Sequence, residues 1–363
     1  MTRVFDEWLM RSAREKSSVL ADQLVAWQRH EGRHHLPWQN TRDPYRVWLS
    51  EIMLQQTQVS TVLGYYDRFL STFPDVAALA AAPLDEVLTL WAGLGYYSRA
   101  RNLHRCAQAV MADHGGQFPT SAAMLQTLPG IGPSTAAAVA SFCFAERVSI
   151  MDGNVKRVLT RVLGWGEDLA LARHEKALWQ AADLLLPEQA QELPAYTQGL
   201  MDLGATVCTQ RKPSCLMCPW QASCAARMEG QPEAYPVKTR KLKRSSRESW
   251  CLWLAHEGAV WLVQRPGKGI WASLWTLPMF GSEEALLASY AGPLEIHPTV
   301  NHVLTHLDWR LHLRRTELMA PPSEVLMAAW PVEPIEGAGR WVPLNKLHLF
   351  GLPTPFKRWL TGQ

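Results

Sequence analysis

Two carboxylates, a pair of glycines ahead of a helix, and four clustered cysteines are the residues whose types and spacing could do chemistry. Glu51 lies in a run from Asp43 to Ser60 that reads as one helix, and helical spacing places Glu51, Gln55 and Gln58 on a common face. The ordinary reading of that face is a solvated polar stripe. Asp152 precedes Gly153, Asn154 and Val155 at the start of another helix, where its plain role is an N-cap. Gly130 and Gly132 come just before Pro133, Ser134, Thr135 and an alanine-rich helix. Such glycines let backbone amides approach a phosphate at a helix N-terminus, although the same pattern also makes an ordinary turn. Cys208, Cys215, Cys218 and Cys224 have six, two and five residues between them, in a loop that carries Pro213 and Pro219. Four thiolates from one short loop can saturate a tetrahedral metal or hold a cubane cluster, and spacing alone leaves zinc and iron-sulfur both open. Closed ligation by four cysteines offers no position to a substrate, so catalysis must be sought elsewhere.

The elements that must position these groups change character along the chain. From about Ser17 to Gly204 the sequence reads as helices broken at Pro74, Pro83, Gly93, Gly95, Gly115, Gly116, Pro129, Gly130, Gly132 and Gly164, with almost no strand alternation. The first unit is therefore all-α. Later, Trp250 to Ala255 and Val260 to Gln264 flank Glu257 and Gly258 as a hairpin would, and Val300 to Leu304, Arg310 to Leu318 and Arg340 to Pro343 read as further strands. With a helix over Glu283 to Tyr290, the second unit is α+β. The boundaries expected are 1–234 for the helical region, 235–248 for a linker and 249–363 for the second domain.

A chain of 363 residues with 47% hydrophobic and 19% charged residues is globular and long enough for two or three domains. No apolar run approaches the roughly 18 residues of a membrane span, and charges interrupt the N-terminus, so a cytoplasmic protein with no membrane partner is expected. Four of the seven cysteines crowd into one loop, which in a reducing compartment favours a metal site over disulfides; Cys106, Cys143 and Cys251 read as buried bystanders. The net charge of +3 is local. Lys238, Arg240, Lys241, Lys243, Arg244 and Arg247 fall together without an acid, leaving 30 basic against 33 acidic residues elsewhere. That segment is a solvated linker or a strap that touches a nucleic-acid backbone.

Taken together, the motifs resemble the MutY-type adenine DNA glycosylases of the endonuclease III superfamily. The cysteine loop resembles the superfamily loop that binds a 4Fe-4S cluster, which implies Cys208, Cys215, Cys218 and Cys224 as ligands. Gly130 and Gly132 resemble its helix-hairpin-helix, and Ser134 stands where lyase members carry a Schiff-base lysine, which implies a monofunctional enzyme using water. Glu51, followed three residues later by Leu54, Gln55, Gln56, Thr57 and Gln58, resembles the segment holding the family's essential acid, and Ile150 to Leu159 resembles its aspartate motif, with Asn154 helping to hold the sugar or the aspartate. Gly93 to Leu103 resembles the wedge segment, with Tyr96 inserted into DNA and Gln56 a second, helix-borne wedge. The resemblance implies a six-helix barrel over about 40–147 and a cluster domain built from about 17–39 and 148–234.

The second domain resembles the family's MutT-like, Nudix-fold domain at Arg265, Pro266, Gly269, Trp271, Leu274, Trp275, Leu277 and Pro278, but no acidic Nudix box follows, which implies that it reads a base. Leu304, Thr305 and His306 stand where the family usually has Phe, Ser and His. Threonine keeps the hydroxyl and leucine loses the aromatic, so discrimination at the opposing base is expected to shift. The chemistry implied is cleavage of the adenine glycosidic bond after base flipping, in double-stranded DNA containing A:8-oxoguanine or A:G mispairs. Glu51 would protonate adenine at N7 and then activate water, and ionised Asp152 would stabilise the oxocarbenium ion or trap it covalently. A monomer, nucleoid-associated if bacterial, is expected. The competing readings are an endonuclease III-like enzyme for oxidised pyrimidines, which Ser134 and the second domain oppose, and a non-catalytic iron-sulfur or zinc DNA-binding module, which the two carboxylates oppose.

Overall fold

A computed structural model describes residues 2–239, 243–320, 333 and 339–362. Its helices are α1 Thr2–Glu31, α2 Pro44–Leu54, α3 Val59–Thr72, α4 Val76–Ala81, α5 Leu84–Trp91, α6 Ser98–His114, α7 Ala122–Leu125, α8 Pro133–Phe144, α9 Gly153–Leu163, α10 Ala172–Leu184, α11 Leu193–Asp202 and α12 Ala225–Met228, followed later by α13 Glu283–Ser289 and α14 Thr354–Thr361. The strands are β1 Ser245–His256, β2 Ala259–Gln264, β3 Trp275–Thr276, β4 Met279–Phe280, β5 Glu295–Ile296, β6 Val300–Val303, β7 Leu307–Glu317 and β8 Arg340–Pro343. The chain forms two compact units. One comprises Met1–Leu70, Asp75–Ala77 and Arg105–Lys241; the other comprises Ser71–Pro74, Ala78–His104 and Leu242–Gln363.

In the first unit, Leu20, Leu24, Val155, Leu159, Leu178, Tyr196 and Trp220 meet in one apolar cluster that joins α1, α9, α10 and α11 to the cysteine loop. Two polar anchors fix α1 and the turn that follows it. The Trp220 indole N–H donates to the Leu20 carbonyl at 2.9 Å, and Asp202, wholly buried, pairs with Arg33 at 2.7 Å. Local sequence explains the helix starts. Asp43 accepts from the Tyr45 N–H with Pro44 at the first helical position, and Gly132 caps α8 ahead of Pro133. Ala136, Ala137, Ala138 and Ala140 are buried along α8, where their small side chains allow α2 to pack closely.

The helix expected from Asp43 to Ser60 is shorter than its sequence suggests. It ends at Leu54, with Gln55 outside the helix and Gln56 at φ 56°, so Glu51, Gln55 and Gln58 do not share one helical face. The left-handed backbone at Gln56 breaks the hydrogen-bond ladder, and the Thr57 N–H turns back to the Leu54 carbonyl. Gln56 is thus carried on a turn and not, as expected, on a helix. Cys106 and Cys251 are buried, whereas Cys143 keeps intermediate exposure.

In the second unit, β1 and β2 form the expected hairpin, with Glu257 at φ 45° and Gly258 at φ 73° supplying the two left-handed residues of its turn. β1 starts at Ser245, earlier than expected, because it pairs in parallel with β7 from Ser245 opposite Leu307 to Ala255 opposite Glu317. The described strands run in the order β3-β2-β1-β7-β5, with β8 on β2 and β6 on β7. Leu252, Leu254, Trp261, Val263, Phe280 and Leu286 form an apolar cluster on which α13 rests.

Candidate active site

Asp152 and its surroundings are built by the start of α9. The carboxylate caps the helix, accepting from the Val155 N–H at 2.7 Å. Asn154 turns its side-chain oxygen to the Arg157 guanidinium at 2.8 Å, and the same guanidinium donates to the carbonyls of Gly204 at 2.7 Å and Cys208 at 2.8 Å. What Asn154 offers the aspartate is its backbone N–H. Just ahead, the Met151 N–H donates to Ser134 Oγ at 3.2 Å, so the hydroxyl that stands in the lysine position fastens the segment leading into Asp152.

Glu51, near the end of α2, lies close enough for the charge of Asp152 to act on it. Burial pushes its carboxyl up to about 8, and Asp152 adds to the rise. Burial also raises Asp152, but the N–H groups of Val155 and Asn154 and the charges of Arg157 and Lys156 oppose it. Every contribution at Glu51 favours its proton, while those at Asp152 conflict. Asp152 is nonetheless raised as well, and what distinguishes it from Glu51 is the set of donors and cations that favours its ionised form. The turn after α2 carries the glutamines: Gln55 Nε2 donates to Thr135 Oγ1 at 3.3 Å, joining it to α8, and Gln56 is exposed. Gly130 has φ 76°, and both Gly130 and Gly132 face solvent at the head of α8.

The four cysteines line one cavity together with Arg161, Val207, Pro213, Gln221, Arg227 and Pro232. Arg161, only 2% exposed, donates to Cys208 Sγ at 3.3 Å and to the Thr209 carbonyl at 2.7 Å. Among the described residues no three His, Cys, Asp or Glu side chains are grouped closely enough to hold one metal ion. The donor set is nonetheless four sulfurs, of which burial pushes Cys218 up to about 12 as a free thiol, an environment that a bound cation would offset.

In the second unit, Tyr96 sits in a left-handed turn, φ 47°, between Gly95 and α6, and its ring is 46% exposed. It is not the core tyrosine that its apolar neighbours would allow. The Trp91 indole N–H donates to the Gly95 carbonyl at 3.0 Å, and the Arg99 guanidinium donates to the carbonyls of Leu94 and Gly95, which holds the turn rigid beneath the ring. Leu304, Thr305 and His306 form the short connection between β6 and β7, with Thr305 and His306 exposed. The hydroxyls of Tyr96 and Thr305 are 2.7 Å apart. Sequence reading missed Thr135, Arg157 and Arg161. Only the spacing of Asn154, Arg157 and Arg161 along one side of α9 hints that they act together.

Comparison with known proteins agrees with this architecture. Residues 49–182 match the HhH-GPD superfamily of base excision DNA repair proteins, and residues 249–362 match the NUDIX domain family. The chain is 34% identical to an adenine DNA glycosylase of Buchnera aphidicola subsp. Baizongia pistaciae over 94% of this chain and 96% of that protein. It is 33% identical to the adenine DNA glycosylase of Homo sapiens, covering 92% of this chain and 72% of the human protein. A solved thermostable thymine-DNA glycosylase superposes with a TM-score of 0.53 at 29% identity, over 60% of this chain and 98% of that one. With relatives this similar along almost its full length, and with a paired-carboxylate helical unit followed by a NUDIX-type sheet, this chain belongs to the adenine DNA glycosylase family.

Proposed function

We propose that this protein hydrolyses the glycosidic bond of adenine mispaired with 8-oxoguanine or guanine in duplex DNA, with Glu51 as general acid and Asp152 as the anion that faces the sugar. The observation that carries the reading is the unequal surroundings of two neighbouring carboxyls: burial raises both, but only Asp152 has backbone N–H donors and cations that favour its ionised form, the kind of difference by which one site can supply an acid and an anion. Protonated Glu51 gives its proton to N7 of the departing adenine and then draws one from water. Asp152, fastened by the Val155 and Asn154 N–H groups, stabilises the developing cation. Ser134 carries no amine, so base removal leaves an intact abasic strand.

Gln55, Gln56, Thr57 and Tyr96 are the proposed contacts in the opened duplex, Gly130 and Gly132 the phosphate contacts, and Leu304, Thr305 and His306 the readers of the opposing base. Cys208, Cys215, Cys218 and Cys224 would hold a 4Fe-4S cluster, supplying a closed structural clamp rather than a reacting group. No described helix is long and apolar enough to cross a membrane, in keeping with an enzyme that works on DNA in the cytoplasm.

The test is adenine release from duplexes pairing it with 8-oxoguanine or guanine, against a thymine glycol duplex. Adenine release that is lost in Glu51→Gln, with strand cleavage appearing only after alkali, is the expected result. Release undiminished in Glu51→Gln would overturn the acid assignment, and processing of thymine glycol alone would overturn the substrate.

A further inference from the structure

The connection Leu304–His306 is held from behind by the first residues of the sheet. Arg244 Nη1 donates to the Thr305 carbonyl at 3.1 Å, while Nε and Nη2 of the same guanidinium fork onto the Asp308 carboxylate at 3.2 and 2.5 Å. Next to it, the Ser245 N–H and hydroxyl both donate to the His306 carbonyl, at 3.0 and 3.3 Å. Two consecutive carbonyls of the connection are therefore fixed, and the hydroxyl projecting between them is the one that meets Tyr96 at 2.7 Å.

Arg244 belongs to a run of cations that invites reading as a DNA strap. Its geometry argues otherwise. Its guanidinium is committed to one carboxylate and one carbonyl, and the Asp308 charge cancels the field a phosphate would feel. Arg247 of the same run is likewise engaged, paired with Glu333 at 2.6 Å and lying over the Trp309 ring. An exposed ion pair contributes little to stability, so what Arg244 and Asp308 supply is direction.

We infer that Arg244, aligned by Asp308, is a positioning residue that sets the Thr305 hydroxyl for reading the base opposite adenine, and is not a phosphate contact. The inference rests on the proposed assignment of Leu304, Thr305 and His306 to lesion reading. Each group of the pair makes a separate demand: the carboxylate orients the guanidinium, and the guanidinium orients the carbonyl. Removal of either leaves Thr305 free to turn its hydroxyl away.

The test compares the intact protein with Arg244→Gln, Asp308→Asn and the double variant. Two quantities are read: the ratio of single-turnover adenine release from 8-oxoguanine and guanine duplexes, and the salt dependence of binding to undamaged duplex. Both single variants should lower the ratio about fivefold, on the scale of one hydrogen bond, with the double variant no worse and the salt slope unchanged. A phosphate contact would instead reduce the slope by about one in Arg244→Gln while leaving the ratio intact, and that result overturns the inference. An unchanged ratio in Asp308→Asn overturns it as well. If the unmodified protein releases no adenine from either duplex, the functional reading itself fails and the inference with it. If it discriminates and the variants match it, the inference alone fails.

Discussion

Glu51 and Asp152 are both partly buried carboxyls, and what separates them is the supply of hydrogen-bond donors. Asp152 stands at a helix start with two backbone N–H groups and two cations within reach, whereas the causes acting on Glu51, burial and the neighbouring negative charge, both retain its proton. Activity that needs protonated Glu51 should fall as pH rises through about 8, the value to which burial raises this group. A pH profile of single-turnover adenine release checks this, and in Glu51→Gln a loss of at least about a hundredfold is expected, the usual share of a general acid. Stability follows the same group with a definite sign. A carboxyl raised from 4.5 to about 8 contributes its full share to folding below pH 4.5 and loses it as pH climbs through 8. Glu51→Gln has no proton to lose, so its thermal midpoint should exceed that of the unmodified protein at pH 8.5, and the difference should shrink toward zero at pH 5. Equal midpoints at both pH values would mean that the carboxyl is ionised without cost.

Helix α9 does at the level of the element what no single residue does, since it carries Asp152 at its cap, Asn154 and Arg157 in its first turns, and Arg161 one turn further on against the cysteine loop. Its approach to Gly204 is unusually tight: a Cβ placed there would meet the Cβ of Asn154 at 2.7 Å. Gly204→Ala should push α9 away from the turn before Cys208, destabilising the protein by about 1–3 kcal/mol through overpacking. It should also lower adenine release without altering the preference for the opposing base, as shown by denaturation alongside rates on both duplexes. Much of this helical framework was legible in the sequence, since Asp43 with Pro44, Asp152 with its apolar run, and the Gly-Ile-Gly turn each mark a helix start by local chemistry. The end of α2 was not. Gln55, Gln56, Thr57 and Gln58 contain no glycine or proline, and only the folded backbone at Gln56 shows the break. Arg157, Arg161 and Arg244 were invisible as positioning groups for another reason: partners such as Gly204, Cys208 and Asp308 lie 47 to 64 residues away along the chain, a separation that spacing rules do not reach.

At the scale of the whole molecule, the two units do not follow the order of the chain. Ala78–His104, helical and placed amid the first unit's sequence, joins the sheet-bearing unit. The links are specific. Asp85 accepts from Gln264 and from the Trp275 indole, the Arg101 guanidinium reaches the Ala272 carbonyl at 2.8 Å, and a Cβ on Gly351 would press on Leu88 at 3.1 Å. A chain cut after Lys241 therefore loses more than the sheet, since it strips the support from the turn that presents Tyr96. Hydrogen exchange on that truncated chain should show protection lost across 78–104 while α10 and α11, packed wholly within the first unit, keep theirs. Undiminished protection over 78–104 would mean that these helices need no sheet behind them. The coupling also gives the family's two-part design a physical reason. The residue proposed to wedge open the duplex and the residue proposed to read the opposing base are bonded to one another within a single unit, so a loop that moves off register carries the wedge's hydrogen bond with it.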